Sequence, residues 1–327
     1  MTPLSVLDLA PVSSGRSSSQ ALQESIQLVQ RVEELGYERF WVAEHHGMPG
    51  IASSAPAVLI AALAARTTRI RVGSGGVMLP NHPPLTVAEQ FGTLAGLYPG
   101  RIDLGIGRAP GTDQRTAQLL RRGNVDDIPG EIQLVRAFFD GPVEGITAVP
   151  AAGNAPEVWL LGSSGYSAQL AGLLGLPFAF AHHFSSEHTL PALELYRSTF
   201  RPGVLEQPHS MICASVLVAD SYERARELSL PGALAFVKLR QGRPDVMPSP
   251  EEAAAHDWTP ADRLFAEQRL DKAVLGSPME VEQQLKELLA QTQVDELMVV
   301  TQAHALEDRI RSYELLSGLM GGVAVGR

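Results

Sequence analysis

The sequence lacks the features of a secreted, membrane-spanning or nucleic-acid-binding protein. It has a single cysteine, Cys213, among 327 residues, so it cannot form an internal disulfide. The N-terminus carries no basic segment followed by an apolar core, and no apolar run approaches the roughly 20 residues of a membrane helix. The net charge of −10 leaves no basic surface for phosphate backbones. We therefore expect a soluble, cytoplasmic protein with no nucleic-acid and no membrane partner.

The composition is that of an ordinary globular protein, and its apolar residues follow a repeating pattern. Hydrophobic residues make up 45% of the chain, and short apolar runs alternate with longer amphipathic segments. The eight predicted strands are Leu4–Leu9, Phe40–Ala43, Ile70–Gly73, Arg101–Ile106, Glu157–Leu161, Phe178–Ala181, Met211–Val218 and Glu296–Val300. Each is followed by a predicted helix, which is the pattern of an α/β fold of the (β/α)8 TIM-barrel type. A doubly wound open sheet gives a similar alternation.

Two polar stretches interrupt this rhythm. Residues 110–130 follow the fourth strand, and residues 231–277, which carry several prolines, follow the seventh. A helix over residues 221–229 is predicted to end before Pro231. Long loops in compact domains tend to be functional or disordered, so the second insertion is a candidate lid. No shift in composition marks a second domain, and we expect a single domain over residues 1–327.

Unusual residues fall where the predicted strands end, which is the face on which barrel enzymes carry their chemistry. The fifth strand is followed by Gly162, Ser163, Ser164 and Ser167 at the start of a helix. Small residues and a helix N-terminus favour phosphate binding, although a serine there is also typical of an ordinary helix cap. Arg108, after the fourth strand, adds a guanidinium that can grip phosphate or form a surface ion pair.

Glycines follow the third strand in the run Gly73-Ser74-Gly75-Gly76. Glycine at Gly75 and Gly76 permits the close approach of a flat ligand or an unusual backbone geometry. A bulge in the strand is the alternative interpretation.

Histidines follow the second and sixth strands, in Glu44-His45-His46 and in His182-His183. An imidazole at a strand end suits acid–base chemistry, or a metal site of the kind found in barrel hydrolases. Adjacent residues on a strand point to opposite faces, and the last strand ends in Thr301-Gln302 rather than a carboxylate. These features disfavour a metal, and we predict none.

Several segments, taken in order, resemble the bacterial-luciferase-like monooxygenases. They are Phe40–Pro56 (FWVAEHHGMPGIASSAP), residues 70–111 with the string RVGSGGVMLPNHPPLTVAEQFGTLAGLYPGRIDLGIGRAPG, Leu160–Pro177 (LLGSSGYSAQLAGLLGLP) and residues 295–315. The similarity spans nearly the whole chain and is greatest to the single-subunit, alkanal-monooxygenase-like members. The insertion at residues 231–277 is the part that matches least.

The resemblance implies a site for reduced FMN on the C-terminal face of the barrel. It implies that Arg108, Ser163, Ser164 and Ser167 hold the phosphate, and that Gly75–Gly76 is a cis peptide beneath the flavin ring. It also implies that His45 lies near flavin C4a, where oxygen adds to give the hydroperoxide that oxidises a small organic, carbonyl-type substrate. The neighbouring residues that complete the implied site are His46 as a second catalytic candidate, and Glu44 and Gly107 on the cofactor side.

The resemblance further implies a homodimer and a separate flavin reductase that supplies reduced FMN as a co-substrate. Bacterial luciferase has a reactive cysteine where this chain has Gly107, so we do not expect light emission. Members of the same barrel family that use a deazaflavin of the F420 type for hydride transfer are the alternative within the resemblance.

Overall fold

The structure is a computed structural model that describes residues 2–109, 111–120 and 127–319. Within these ranges no helix is both long enough and apolar enough to cross a membrane. The strands are β1 (Leu4–Asp8), β2 (Arg39–Val42), β3 (Arg71–Met78), β4 (Ile102–Gly107), β5 (Glu157–Gly162), β6 (Phe178–Phe180), β7 (Ser210–Val218), β8 (Val274–Gly276) and β9 (Glu296–Val300). The helices are α1 (Ser18–Glu34), α2 (Pro56–Ala64), α3 (Pro84–Leu97), α4 (Gln114–Leu120), α5 (Ile128–Asp140), α6 (Gly165–Leu174), α7 (Thr189–Thr199), α8 (Tyr222–Arg240), α9 (Pro250–Ala254), α10 (Pro260–Leu270), α11 (Pro278–Thr292) and α12 (Leu306–Leu319).

Eight of these strands form a closed parallel ring. Strands β1 to β7 pair in sequence, and β9 pairs with both β7 and β1. Strand β8 lies outside the ring, paired with the C-terminal end of β7. The predicted (β/α)8 barrel is therefore confirmed, and the open doubly wound sheet is not what this chain forms.

Two layers of side chains fill the N-terminal half of the barrel interior. At the bottom, the guanidinium of Arg39 lies between Asp103, at 2.9 Å, and Glu296, at 3.1 Å. Above this ionic layer the rings of Trp41 and Trp159 meet edge to face, with centroids 5.4 Å apart. Because these two layers fill the lower barrel, a ligand has room only at the C-terminal end.

Helix α1 shows how local sequence sets the outer layer. Ser17 and Gln20 form a reciprocal capping box at its start. The buried face of the helix carries Leu28, Val29 and Val32, at the spacing that places side chains on one side of a helix. The helix is therefore fixed by its cap and by one apolar stripe.

The insertion after β7 differs from its prediction. Helix α8 does not end before Pro231 but continues through it to Arg240. A proline inside a helix costs about 3 kcal/mol, because it removes a backbone hydrogen bond and crowds the preceding turn. Burial of Ala233 and Val237 in an apolar cluster with Leu217 of β7 and Leu270 of α10 offsets this cost. The rest of the predicted loop contains α9, α10 and β8.

The insertion after β4 contains helix α4, and α5 begins within it at Ile128. Residues 110 and 121–126 of the predicted insertion lie outside the described residues.

Candidate functional site

A cavity of about 600 Å³ opens at the C-terminal end of the barrel. Its floor includes Leu7, Trp41 and Met298, which belong to the apolar layer inside the barrel. Eight of the ten residues predicted for the site line it, namely His45, Gly75, Gly76, Gly107, Arg108, Ser163, Ser164 and Ser167. The structure thus brings together residues that come from the ends of four different strands.

One end of the cavity is built by the start of α6. Ser164 is the N-cap residue of this helix, yet its side chain makes no capping hydrogen bond. The first amides of α6 are therefore left without that partner, and the helix dipole adds partial positive charge there. This observation favours an anion site over the plain serine cap.

Gly162 permits this geometry. A Cβ atom at Gly162 would lie 2.4 Å from the Cβ of Ser167, far inside van der Waals contact. Only glycine lets the first turn of α6 approach the end of β5 this closely. Arg108 lies beside the same turn, with its guanidinium 4.4 Å from the centre of the Tyr166 ring. No ion pair of Arg108 is found among the described residues, so the surface ion pair considered from the sequence is not formed there.

The Gly75–Gly76 peptide is cis, as the resemblance implied. Strand β3 runs on to Met78, so these glycines lie within the strand rather than after it, and the register with β4 shifts between Gly75 and Val77. A Cβ atom at Gly76 would lie 2.6 Å from the carbonyl oxygen of Gly105. The strand is therefore irregular at the point where it lines the cavity. The bulge and the open approach for a ligand, which the sequence offered as alternatives, are compatible here.

His45 lines the cavity, while its neighbour His46 does not. Burial lowers the pKa of His45, and the nearby carboxylate of Glu44 only partly offsets this effect. The imidazole is therefore neutral at pH 7. Its Nδ1 atom is buried and has no hydrogen-bond partner in the part of the chain that is described. A buried polar atom without a partner is uncommon in folded proteins.

Glu44 lies beneath His45 and faces away from the cavity. It accepts hydrogen bonds from the backbone amide of Met78 (3.0 Å), from Nε2 of His46 (2.8 Å) and from Nε2 of His82 (2.8 Å). Burial alone would raise the pKa of Glu44, but these hydrogen bonds lower it. The carboxylate thus ties the end of β2 to the end of β3, and both Glu44 and His46 are placed behind the cavity wall.

These groups also form a cluster that the sequence did not predict. One ligand atom from each of Glu44, His46 and His82 lies within 4.8 Å of the others. Of the residues in the sequence-based metal hypothesis, Glu44 and His46 belong to this cluster, whereas His182 contacts the Thr189 hydroxyl and Nδ1 of His183 contacts the Cys213 carbonyl. His82 was missed because it follows a strand that was predicted to end earlier.

Two helices of the second insertion cover the cavity. Phe236 and Leu239 from α8 and Arg269 from α10 line its upper wall. Sequence reasoning missed all three, because it treated this segment as a loop without fixed positions. For Phe236 and Leu239, the signal in the sequence is the helical spacing of apolar residues, which continues past Pro231.

Comparison with known proteins gives consistent matches along the chain. The family model described as luciferase-like monooxygenase matches residues 2–296. A protein of Escherichia coli K12 named luciferase-like monooxygenase is 48% identical over 317 residues, or 95% of each chain. The N-acetyl-S-alkylcysteine monooxygenase of Bacillus subtilis is 32% identical and is covered to 98%. The crystal structure of apo-MsnO8 is similar with a TM-score of 0.90, at 38% identity and 98% coverage of both chains.

Proposed function

Because the chain belongs to the luciferase-like monooxygenase family, we propose that it is an FMN-dependent monooxygenase. In this proposal reduced FMN and O2 are co-substrates, and a small organic, carbonyl-type molecule is oxidised. The observation that carries the proposal is the uncapped first turn of α6 beside Arg108, which suits a phosphate group. It lies at one end of a cavity that also holds a neutral, unpartnered histidine.

The residues present fit this cofactor. Arg108 and the hydroxyls of Ser163, Ser164 and Ser167 would hold the phosphate, and the Gly75–Gly76 segment would lie against the ring system. When bound, reduced FMN supplies the electrons that activate O2. Gly107 lines the cavity, and the absence of light emission stays a prediction.

His45 is the proposed catalytic residue. Its pKa is lowered by burial, so the side chain is neutral and can hold or pass one proton at neutral pH. The neighbouring His46 is hydrogen-bonded to Glu44 and does not reach the cavity lining. We propose that Glu44 and His46 act by fixing the ends of β2 and β3, on which His45 and the Gly75–Gly76 peptide are carried.

The open position of Arg108 suits a flavin that enters and leaves. Arg108 is exposed to solvent, so the phosphate end of the cavity is accessible from outside. We therefore propose that a separate flavin reductase supplies reduced FMN. A homodimer, a single domain over residues 1–327 and a cytoplasmic location remain predictions.

A flavin titration tests this function. Oxidised FMN, photoreduced FMN and a deazaflavin of the F420 type are titrated into the protein, and binding is followed by flavin absorbance. We expect tighter binding of reduced FMN than of the deazaflavin. Reduced FMN and O2 are then supplied with aldehydes, ketones and an N-acetyl-S-alkylcysteine, the last because of the name of the Bacillus relative. Tight deazaflavin binding with no oxygenated product would show that hydride transfer is the reaction instead.

A further inference from the structure

Among the described residues, the cavity lining includes a second arginine, distinct from Arg108, that pairs with no acid. Arg269 on α10 lines the cavity and makes one side-chain hydrogen bond, from Nη2 to Oε1 of Gln302 at 3.2 Å. Its guanidinium lies over the ring of Phe236, 4.0 Å from the ring centre. Among the described residues no carboxylate forms an ion pair with it.

The two arginines that are buried among the described residues are each paired with acids. Arg39 is held between Asp103 and Glu296, and Arg309 is paired with Asp8. Taking a guanidinium out of water costs several kcal/mol unless a carboxylate or several acceptors compensate. Burial without such a partner lowers the pKa of Arg269 to about 10, whereas the acids around Arg39 raise its pKa. Arg269 differs from both because it is only partly buried and, among the described residues, has no carboxylate partner.

The other charges around the cavity do not supply that reason. Asp245 is the acidic side chain that lines the cavity within the described ranges, and it is already paired with Lys238 at 2.9 Å. Lys272, close to Arg269 in sequence, is paired with Glu187. The neighbouring His183 donates from Nδ1 to the Cys213 carbonyl and is neutral, because burial lowers its pKa to about 4. The environment of Arg269 is therefore cationic or neutral.

The position of Arg269 separates it from the proposed phosphate site. Its partner Gln302 follows β9, the eighth strand of the ring, whereas Arg108 follows β4, the fourth. In a ring of eight strands these positions lie on opposite sides of the barrel mouth. A small pocket of about 30 Å³ behind Arg269 has room for about one water. That pocket is too small for an organic anion, so an anion bound to Arg269 would lie in the main cavity, across the barrel mouth from the phosphate site proposed at Arg108.

The geometry points to a second anion subsite, in which Arg269 and Gln302 bind a carboxylate group on the organic substrate while its apolar part lies in the cavity. This inference rests on the proposed function, and it narrows the substrate class to small organic acids. The apolar lining from Phe236 and Leu239 suits the hydrocarbon part of such a molecule. A planar guanidinium matches a carboxylate in a bidentate way, which a neutral substrate could not exploit.

Calorimetric titration with a matched pair of probes tests the subsite. Octanoate and octanamide have similar shape and differ in charge, and each is titrated into the full-length protein without flavin and again with saturating FMN. We expect octanoate to bind at least about tenfold more tightly than octanamide. The variant Arg269→Met should weaken octanoate binding by about 10- to 100-fold, in line with the net value of a charged hydrogen bond, and leave octanamide binding nearly unchanged.

Three further variants control for folding and for the other site. Arg263→Met removes an exposed arginine from the same helix and should change neither probe. Arg269→Lys keeps the charge and should keep part of the preference for octanoate. Arg108→Met should weaken FMN binding but not octanoate binding, while Arg269→Met should do the reverse. Circular dichroism confirms that each variant is folded.

The outcomes separate this inference from the proposed function. The proposed function is contradicted if FMN does not bind, or if its binding does not depend on Arg108. The octanoate titration then still tests the subsite independently. An absence of octanoate binding, equal binding of the two probes, or loss of octanoate binding in Arg108→Met rather than in Arg269→Met overturns the subsite.

Discussion

Replacing Gly162 by alanine should separate FMN binding from protein folding. The added Cβ would lie 2.4 Å from the Cβ and 2.5 Å from the Oγ of Ser167, whereas ordinary contacts between carbon atoms are about 3.5–4.0 Å. The start of α6 must therefore move by about 1 Å. A shift of that size is enough to break one charge-assisted hydrogen bond to a phosphate, worth about 1.5–3 kcal/mol. We expect FMN to bind about 10- to 100-fold more weakly.

Riboflavin distinguishes a damaged phosphate site from a damaged protein. Because riboflavin has no phosphate, its affinity should change by less than about threefold. Overpacking of this kind costs about 1–3 kcal/mol of stability, so the variant should remain folded. Gly318→Ala is the matched control, because a Cβ at Gly318 meets no atom within 4 Å. If Gly162→Ala binds FMN as tightly as the wild type, or loses riboflavin and FMN equally, the start of α6 does not hold the phosphate.

Three other properties can be predicted from the same structure. Because burial lowers the pKa of His45 below 6.5, kcat/KM of the wild type should decrease only at pH values below 6.5. His45→Ala should abolish this decrease. If the decrease persists in the variant, a different group causes it. The pKa of His183 falls from 6.5 to about 4 on folding, so the unfolded chain binds more protons between these values. The contribution of neutral His183 to the free energy of unfolding should therefore be fully present above pH 6.5 and should decrease by up to about 3 kcal/mol toward pH 4. Urea denaturation at several pH values should show a smaller decrease in His183→Gln. Arg309→Met leaves Asp8 buried without its partner and should cost about 3–5 kcal/mol, seen as a lower Tm, with a smaller loss when Asp8→Asn is added.

The barrel was predictable because its signal is local. Each strand of the ring is a short apolar run, and an amphipathic helix such as α1 shows an apolar stripe at helical spacing. The side chains at the strand ends could likewise be placed together, since parallel strands end on one face of a barrel. The expectation that His45 and His46, as adjacent residues, would point to opposite sides holds although both lie beyond the end of β2, and only His45 lines the cavity.

The continuation of α8 through Pro231 was not predictable, because proline is a strong local signal against a helix. The helix persists there only because distant side chains bury its apolar face. That tertiary contact is invisible in a window of sequence. The sequence-based end of the helix therefore failed at the point where long-range packing outweighs local propensity.

This failure explains why Arg269 could not be found from the sequence. The inference that Arg269 binds an anion depends on two distances, one to the ring of Phe236 on α8 and one to the side-chain amide of Gln302 after β9. It depends even more on the lack of an acid nearby among the described residues, and such a lack has no sequence pattern. Arg108 was found because it follows a strand, whereas Arg269 lies inside a helix of an insertion. Residues that select a substrate in this barrel are therefore best sought on the helices that cover the cavity, where charge without a partner is the signal to look for.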